Sequence, residues 1–288
     1  MNKFFFMRFP EGRRKALTFS YDDGVQDDRR LISILDQYGM KGTFNVNVGY
    51  YASEPGHNRM SKDQITELFK NSPHEVATHS FSHPFLATLP SAMIAGEIIK
   101  DREALEAQFD RIVRGHAYPM GSYNDKVVEV LRACGIAYAR TTVSTEKFDL
   151  PTDWLRLNPT CHHKNSRLME LAEKFVEKKA PYHSRLFYLW GHSYEFNEKH
   201  DDNWHVIEEF CDYMSGREDE IWYATNIEIF EYMEDFDRLI YSADGDIVKN
   251  PTARTLWFDF EGQSFSIAPG KTFRISERRD PNGKDYWV

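Results

Sequence analysis

The chain has 288 residues, an apolar content of 41% and a formal net charge of −9. This length is enough for one large α/β domain, or for one domain with a small addition. The negative charge disfavours a duplex nucleic acid partner, because phosphate contacts need clustered Lys and Arg. No basic amphipathic stretch indicates a membrane surface, and no apolar run reaches the roughly 20 residues of a membrane span. We therefore expect a partner other than nucleic acid or membrane.

The cysteines and the first residues indicate where the protein works. Cys134, Cys161 and Cys211 are odd in number and widely spaced, which favours neither a disulfide framework nor a Cys-based zinc site. The N-terminal apolar run is short and soon charged, unlike the apolar part of a signal peptide. We expect a cytoplasmic protein.

Short apolar runs alternate with amphipathic stretches over the first 240 residues. In chain order we predict a strand at 16–21, a helix at 27–38, a strand at 43–48, a helix at 61–69, a strand at 75–78, a helix at 90–109, a strand at 113–118, a helix at 124–133 and a strand at 136–141. After an irregular region with one short strand near Leu155, we predict a helix at 167–179, a strand at 186–190, a helix at 204–214, a strand at 220–224 and a helix at 227–239.

This alternation predicts a parallel sheet. Seven or eight strands without an obvious edge favour a distorted (β/α)7-8 barrel, and an open doubly wound sheet is the alternative. In both folds the functional site lies where strands end and helices begin.

The pattern changes after residue 240. Residues 255–260 and 264–267 flank a Glu-Gly turn, and residues 272–275 follow a Pro-Gly turn, which together predict antiparallel strands. We therefore divide the chain into a barrel over 1–240 and a small β extension over 241–288. An edge cover, an oligomer contact and a glycan-binding patch are possible roles of the extension, and a structural role is favoured.

An apolar strand runs directly into two carboxylates and a glycine, with the sequence T-F-S-Y-D-D-G at residues 18–24. Side chains of neighbouring strand residues face opposite sides, so Asp22 and Asp23 share one site only if the strand breaks there. Gly24 permits such a break. The plain interpretation is a turn whose Asp caps the next helix.

Two histidines four residues apart, His79 and His83, follow another predicted strand. Pro84 disfavours a helix here, so we expect a tight loop with both imidazoles turned inward. Two imidazoles and one carboxylate make a facial ligand set for a divalent metal, with open positions for water and substrate. The plain interpretation is one core histidine and one at the surface.

Two further loops follow predicted strands. Residues 118–120 read Tyr-Pro-Met before a glycine, a rigid turn whose backbone N–H groups can hold an oxyanion, although an ordinary turn explains it as well. His192 follows the apolar strand that ends at Trp190 and can protonate a leaving nitrogen, or simply bond to Glu195.

This ordered set resembles the polysaccharide deacetylases, carbohydrate esterases whose signatures read T-F-x-x-D-D-G and H-S/T-x-x-H. The resemblance implies a distorted (β/α) barrel over roughly residues 15 to 230. It also implies a metal, most often zinc, on Asp23, His79 and His83. Asp22 would be the general base and His192 the general acid. The loop Tyr118, Pro119 and Met120 would supply an oxyanion N–H, and Trp190 would line the substrate site.

The sequence departs from that family in several places. The third motif usually begins with an arginine that orients the base, and here the position is Ala117. Arg140 or Arg156, both near predicted strand ends, is expected to take that role. Residues 149–154 match only part of the family's D-x-x-D-W motif, and His162 and His163 have no counterpart in it.

These observations predict a metal-dependent hydrolase that removes an acetyl group from an N-acetylated sugar or oligosaccharide. One alternative is a metal amidohydrolase acting on a non-sugar amide or cyclic ureide, motivated by the missing arginine. A second is a non-catalytic glycan-binding protein, motivated by the extension and by abundant aromatics. In a third, the Asp-His-His set is structural.

Overall fold

The computed structural model describes residues 5–53, 58–200 and 202–278. The strands are β1 (Phe5–Arg8), β2 (Lys15–Asp22), β3 (Gly42–Val46), β4 (Glu75–Thr78), β5 (Gly115–Ala117), β6 (Tyr138–Arg140), β7 (Cys161–His162), β8 (Arg185–Gly191), β9 (Ile221–Tyr223), β10 (Ile240–Tyr241), β11 (Ile247–Lys249), β12 (Leu256–Phe260), β13 (Gln263–Ile267) and β14 (Thr272–Arg274). The helices are α1 (Asp28–Gln37), α2 (Lys62–Phe69), α3 (Ser91–Phe109), α4 (Asp125–Ala133), α5 (Leu168–Glu177), α6 (Trp204–Met214) and α7 (Asn226–Asp237).

A parallel sheet forms the centre of the molecule, with the strand order β6-β5-β4-β3-β2-β8-β7. The strand β9 pairs in parallel with the first three residues of β2. It lies on the same side of β2 as β3, which pairs with the last four residues of β2. Leu157 makes a single parallel bridge to Arg140 of β6, and Cys161 of β7 pairs with Leu189 of β8. The segment 157–162 thus bridges the two ends of the sheet, and the predicted distorted (β/α) barrel is confirmed.

The local sequence explains these elements. All eight residues of β2 are buried, as expected for a central strand of a parallel sheet. The helix α1 buries Leu31, Ile32 and Leu35 on one face. The predicted capping box before α2 is present, with Ser61 Oγ accepting from the Gln64 N–H and Gln64 Oε1 accepting from the Ser61 N–H.

The predicted position of the short strand near Leu155 was wrong. Leu155 lies in a single 3-10 turn, and the strand of this region is β7 instead. Asp153 accounts for the turn, because its side chain accepts a hydrogen bond of 3.0 Å from the Leu155 N–H.

The predicted antiparallel extension is present as two three-stranded sheets, ordered β1-β12-β13 and β10-β11-β14. The strand β1 was not predicted, and it binds the N-terminal end of the chain to the extension. Arg8 of β1 and Asp259 of β12 form a buried ion pair of 2.7 Å. The extension shares one buried apolar cluster with α7 and the barrel, so the division at residue 240 stays a prediction and marks no break in packing.

The three cysteines are free, as their spacing predicts. Among the described residues, no helix combines the length and the apolar character needed to cross a bilayer. The cytoplasmic location stays a prediction.

Candidate active site

The predicted site residues meet at one end of the barrel. Asp22 is the last residue of β2, His79 follows β4 directly, and His192 follows β8 directly. Since these strands are parallel, their carboxyl ends lie on the same face. The structure therefore brings together residues that are up to 170 positions apart in the sequence.

Asp23, His79 and His83 form a compact set of three donor atoms that all lie within 4.8 Å of one another. Asp23 Oδ1 lies 4.0 Å from His79 Nε2 and 3.7 Å from His83 Nε2. Two imidazole nitrogens and one carboxylate oxygen at these separations suit a divalent transition metal.

The backbone is strained where these three side chains converge. Asp23 has a φ of 89°, Ser80 of 60° and His83 of 50°, all in a region that residues other than glycine seldom adopt. The strand β2 breaks in a turn at Asp23, and this break lets Asp23 share a site with Asp22. Gly24 continues the turn with a φ of 63°. Such strain is concentrated at functional sites.

His79 is held by the strands beside it. Its Nδ1 lies 2.8 Å from the carbonyl oxygen of Ala117, to which it donates, so Nε2 carries the lone pair that faces Asp23. Asp101 of α3 accepts the His79 N–H at 3.0 Å. Burial lowers the pKa of His79 to about 4, which keeps the imidazole neutral as a metal ligand must be. Burial also lowers the pKa of His83.

Arg140, one of the two arginines considered in place of the family arginine at Ala117, contacts Asp22. Its Nη2 donates a hydrogen bond to Asp22 Oδ2, and its guanidinium stacks 4.4 Å from the ring centre of Trp190. Asn45 Nδ2 donates to the other oxygen of Asp22 at 2.9 Å. Burial favours the protonated acid, but Arg140, with His79 and His192 nearby, lowers the pKa of Asp22 to about 2.

The other arginine considered, Arg156, is not at the site. It forms ion pairs with Asp125 and Asp153. Asp149 likewise pairs with Arg185, so the partial D-x-x-D-W match contributes no carboxylate to the site.

Sequence reasoning missed Arg59. Its Nη2 lies 3.0 Å from Asp23 Oδ1, and its guanidinium stacks 5.3 Å from the ring centre of Tyr50. Arg59 lies in an irregular segment without any motif, so no sequence signal could have placed it here.

His192 lies between two carboxylates. Its Nε2 is 3.8 Å from Asp22 Oδ2, and its Nδ1 is 3.3 Å from Glu195 Oε2. Burial disfavours the charged imidazolium, but the hydrogen bond with Glu195 and the charge of Asp22 outweigh burial and raise the pKa of His192. A histidine with a raised pKa keeps a proton that it can donate near neutrality.

The loop after β5 offers one backbone donor. The Tyr118 N–H is bonded to the carbonyl oxygen of Arg140, and Pro119 has none. Met120 has a φ of 53°, and its N–H is the remaining donor among the three residues predicted here. The Tyr118 side chain is buried and donates to the Leu155 carbonyl, so it supports the loop. Trp190 is largely buried against Arg140.

Comparison with known proteins agrees with the motifs and the fold. Residues 10–139 match the family model of polysaccharide deacetylases. A candidate polysaccharide deacetylase from Mycobacterium smegmatis is similar in fold, with a TM-score of 0.54 and 16% identity over 80% of this chain and 93% of that one. The Xyl-CE4 domain of a multidomain xylanase from the hindgut metagenome of Trinervitermes trinervoides gives a TM-score of 0.51 and 13% identity, over 77% of this chain and 92% of that one.

The likeness to a third structure is more limited. The Streptococcus pyogenes deacetylase PplD in complex with acetate has 24% identity and a TM-score of 0.44. The match covers 48% of this chain and 61% of that one. The first two structures, with TM-scores of 0.54 and 0.51, support the barrel fold, and the activity has to be argued from the site.

Proposed function

We propose that this protein is a metal-dependent hydrolase that removes an acetyl group from an N-acetylated sugar or oligosaccharide. The observation that carries the proposal is the convergence of Asp23, His79 and His83 beside Asp22 and His192 at the carboxyl ends of the strands. Metal ligands, a general base and a general acid within a few ångströms of one another are the groups that metal-assisted hydrolysis requires.

The donor set fits a divalent metal, with zinc as the expected ion. Both imidazoles have lowered pKa values, because burial disfavours their charged forms. The Ala117 carbonyl fixes the tautomer of His79, so that Nε2 is free to coordinate. A bound divalent ion supplies Lewis-acid polarisation of the acyl oxygen and lowers the pKa of a water molecule.

The chain's own residues then divide the proton transfers. Asp22, ionised and fixed by Arg140, accepts a proton as the water oxygen forms its bond to the acyl carbon. The Met120 N–H stabilises the oxygen on which negative charge develops. His192 donates its Nε2 proton to the nitrogen as the carbon–nitrogen bond breaks, which yields acetate and a free amine.

Two exposed aromatic side chains support a sugar as the substrate. Tyr50 follows β3 and is 48% exposed, and Phe85 follows β4 and is 56% exposed. Both follow strands whose carboxyl ends form the site, and their flat rings offer surfaces on which a sugar ring can stack.

The test is acetate release from a panel of acetylated amino sugars and oligosaccharides. We expect release that stops on chelation and returns on addition of zinc. Asp22→Asn and His192→Gln should abolish turnover while retaining metal, and Asp149→Asn, which breaks an ion pair outside the site, should behave as the parent. No release from any sugar by the metal-loaded parent would refute the proposal.

The same panel decides the alternatives if it includes cyclic ureides and imides. The missing arginine at Ala117 motivated the non-sugar amidohydrolase, and the contact between Arg140 and Asp22 weakens that motive. Turnover of ureides alone would establish it. Glycan binding without turnover, unchanged in Asp22→Asn, would establish the non-catalytic alternative.

A further inference from the structure

A second group of polar side chains lies behind His192 and has no role in the mechanism above. We name it the Glu195 cluster, and it consists of Glu195, His162, His163 and Lys164. Glu195 Oε2 lies 3.1 Å from His162 Nε2 and 3.3 Å from His163 Nε2, and Oε1 lies 3.2 Å from Lys164 Nζ. The same Oε2 accepts the His192 N–H at 3.1 Å and faces His192 Nδ1. One carboxylate therefore joins the end of β7 to the loop after β8.

By distance alone, His162, His163 and Glu195 could hold a second metal. The tautomer of His162 argues against it. The Lys164 N–H donates to His162 Nδ1 at 3.1 Å, so in the neutral ring the proton is on Nε2, which faces Glu195. A nitrogen that carries a proton has no lone pair for a metal. The ammonium group of Lys164 beside the same carboxylate disfavours a further cation.

His163 fills the space behind this carboxylate. Its ring stacks on Tyr21 and Phe196, with ring centres 5.7 Å and 4.2 Å away. A side chain at Gly191 would collide with it, because a Cβ there would lie 2.1 Å from His163 Nδ1. His163 is thus a buried ring packed beside Glu195.

From these contacts we infer that Glu195 is a positioning residue for His192, and that His162 fixes Glu195 by donating to it. The inference rests on the proposed function, because it assigns His192 as the acid. Glu195 accepts the Nδ1–H of His192, so Nε2 is the nitrogen that faces Asp22 and the substrate. When the Nε2–H bond breaks and the proton passes to the leaving nitrogen, His192 changes from the imidazolium to the neutral imidazole and keeps its Nδ1–H on Glu195.

The charged groups around His192 are consistent with this role. Asp22 faces its Nε2 from β2, and Glu195 faces its Nδ1. From β7, the His162 ring centre lies 6.3 Å from the His192 ring centre. Asp22, which is paired with Arg140, faces His192 at 3.8 Å, whereas Glu195 is the carboxylate that is hydrogen-bonded to the His192 ring.

The experiment compares four variants of the zinc-loaded full chain on the substrate that the panel identifies. Glu195→Gln removes the charge, His162→Phe removes the donor and keeps a ring, and His162→Gln restores a donor. Glu170→Gln is the matched control, because Glu170 forms ion pairs on the exposed face of α5. We expect Glu195→Gln and His162→Phe to lower kcat at least about tenfold with little change in KM, since an acid contributes 10²–10⁴-fold.

The pH profile separates positioning from folding. The alkaline limb of kcat/KM should move to lower pH in Glu195→Gln, and His162→Gln should recover most of the loss of His162→Phe. Equal kcat in His162→Phe and the parent would overturn the inference, as would equal losses in both His162 variants. So would a metal content that falls from two ions to one in His162→Phe.

The inference can also be tested without turnover, by measuring the titration midpoint of His192 by NMR in the zinc-loaded protein. The failure of the inference can then be distinguished from the failure of the proposed function. A parent without turnover would refute the deacetylase, yet a lower His192 midpoint in Glu195→Gln would still support the pairing. An unchanged midpoint would overturn the inference even in an active enzyme.

Discussion

Replacement of Arg140 by methionine tests the electrostatic arrangement of the site. Arg140 is fully buried, and the Asp22 side chain that it contacts is 4% exposed. Methionine keeps much of the volume and removes the charge, so it leaves a buried carboxylate without its cation. Breaking a buried pair in this way costs about 3 to 5 kcal/mol of unfolding free energy. The lost stacking on Trp190 adds about 1 kcal/mol.

The assay is urea unfolding at neutral pH followed by circular dichroism, with chelator present so that metal binding does not contribute. The double variant Arg140→Met with Asp22→Asn should recover most of the lost stability, because it removes both charges together. Arg167→Met, which breaks an exposed ion pair, should unfold nearly as the parent does. A loss under about 1 kcal/mol in Arg140→Met, or no recovery in the double variant, would refute the reasoning.

Three further predictions concern metal, pH and packing. His79→Ala and Asp23→Ala should both lower bound zinc, measured by elemental analysis, while circular dichroism shows a folded protein; full occupancy would contradict the ligand assignment. Burial raises the pKa of Asp28 to about 8, so the unfolded chain loses this proton first, and the stability that the group contributes should decline as pH rises from about 4 to about 8. Urea unfolding of the parent and Asp28→Asn across that range should show the decline in the parent alone, and parallel curves would contradict it. Gly191→Ala should lower the unfolding free energy by about 1 to 3 kcal/mol, because its Cβ must displace His163; an unchanged midpoint in thermal unfolding would argue against that contact.

Much of the barrel could be predicted because its strands are continuous apolar runs that end in polar residues. Asp22, His79 and His192 each follow such a run, so their meeting followed from the parallel sheet. The strand β7 could not be placed, because it has only two residues and depends on pairing with β8. Periodicity needs longer segments to give a signal.

Individual side-chain contacts were harder to predict. Arg140 was one of two candidates, and only the register of β6 places it on Asp22, whereas Arg156 pairs with residues outside the site. Arg59 reaches Asp23 from an irregular segment, where no pattern marks a contact. His162 was noted without a role, because its link to Glu195 depends on the pairing of β7 with β8.

The pairing of β1 with β12 has a consequence for how the chain is made. Arg8 and Asp259, the buried pair between these strands, are 251 positions apart in the sequence. A ribosome adds roughly 5–20 residues each second, so β1 is made roughly 12 to 50 seconds before its partner strand. During that interval the apolar residues of β1 are an unpaired strand edge, open to other nascent chains. The last barrel strand ends at Tyr223, but the partner of β1 begins only at Leu256, so β1 stays unpaired through most of synthesis.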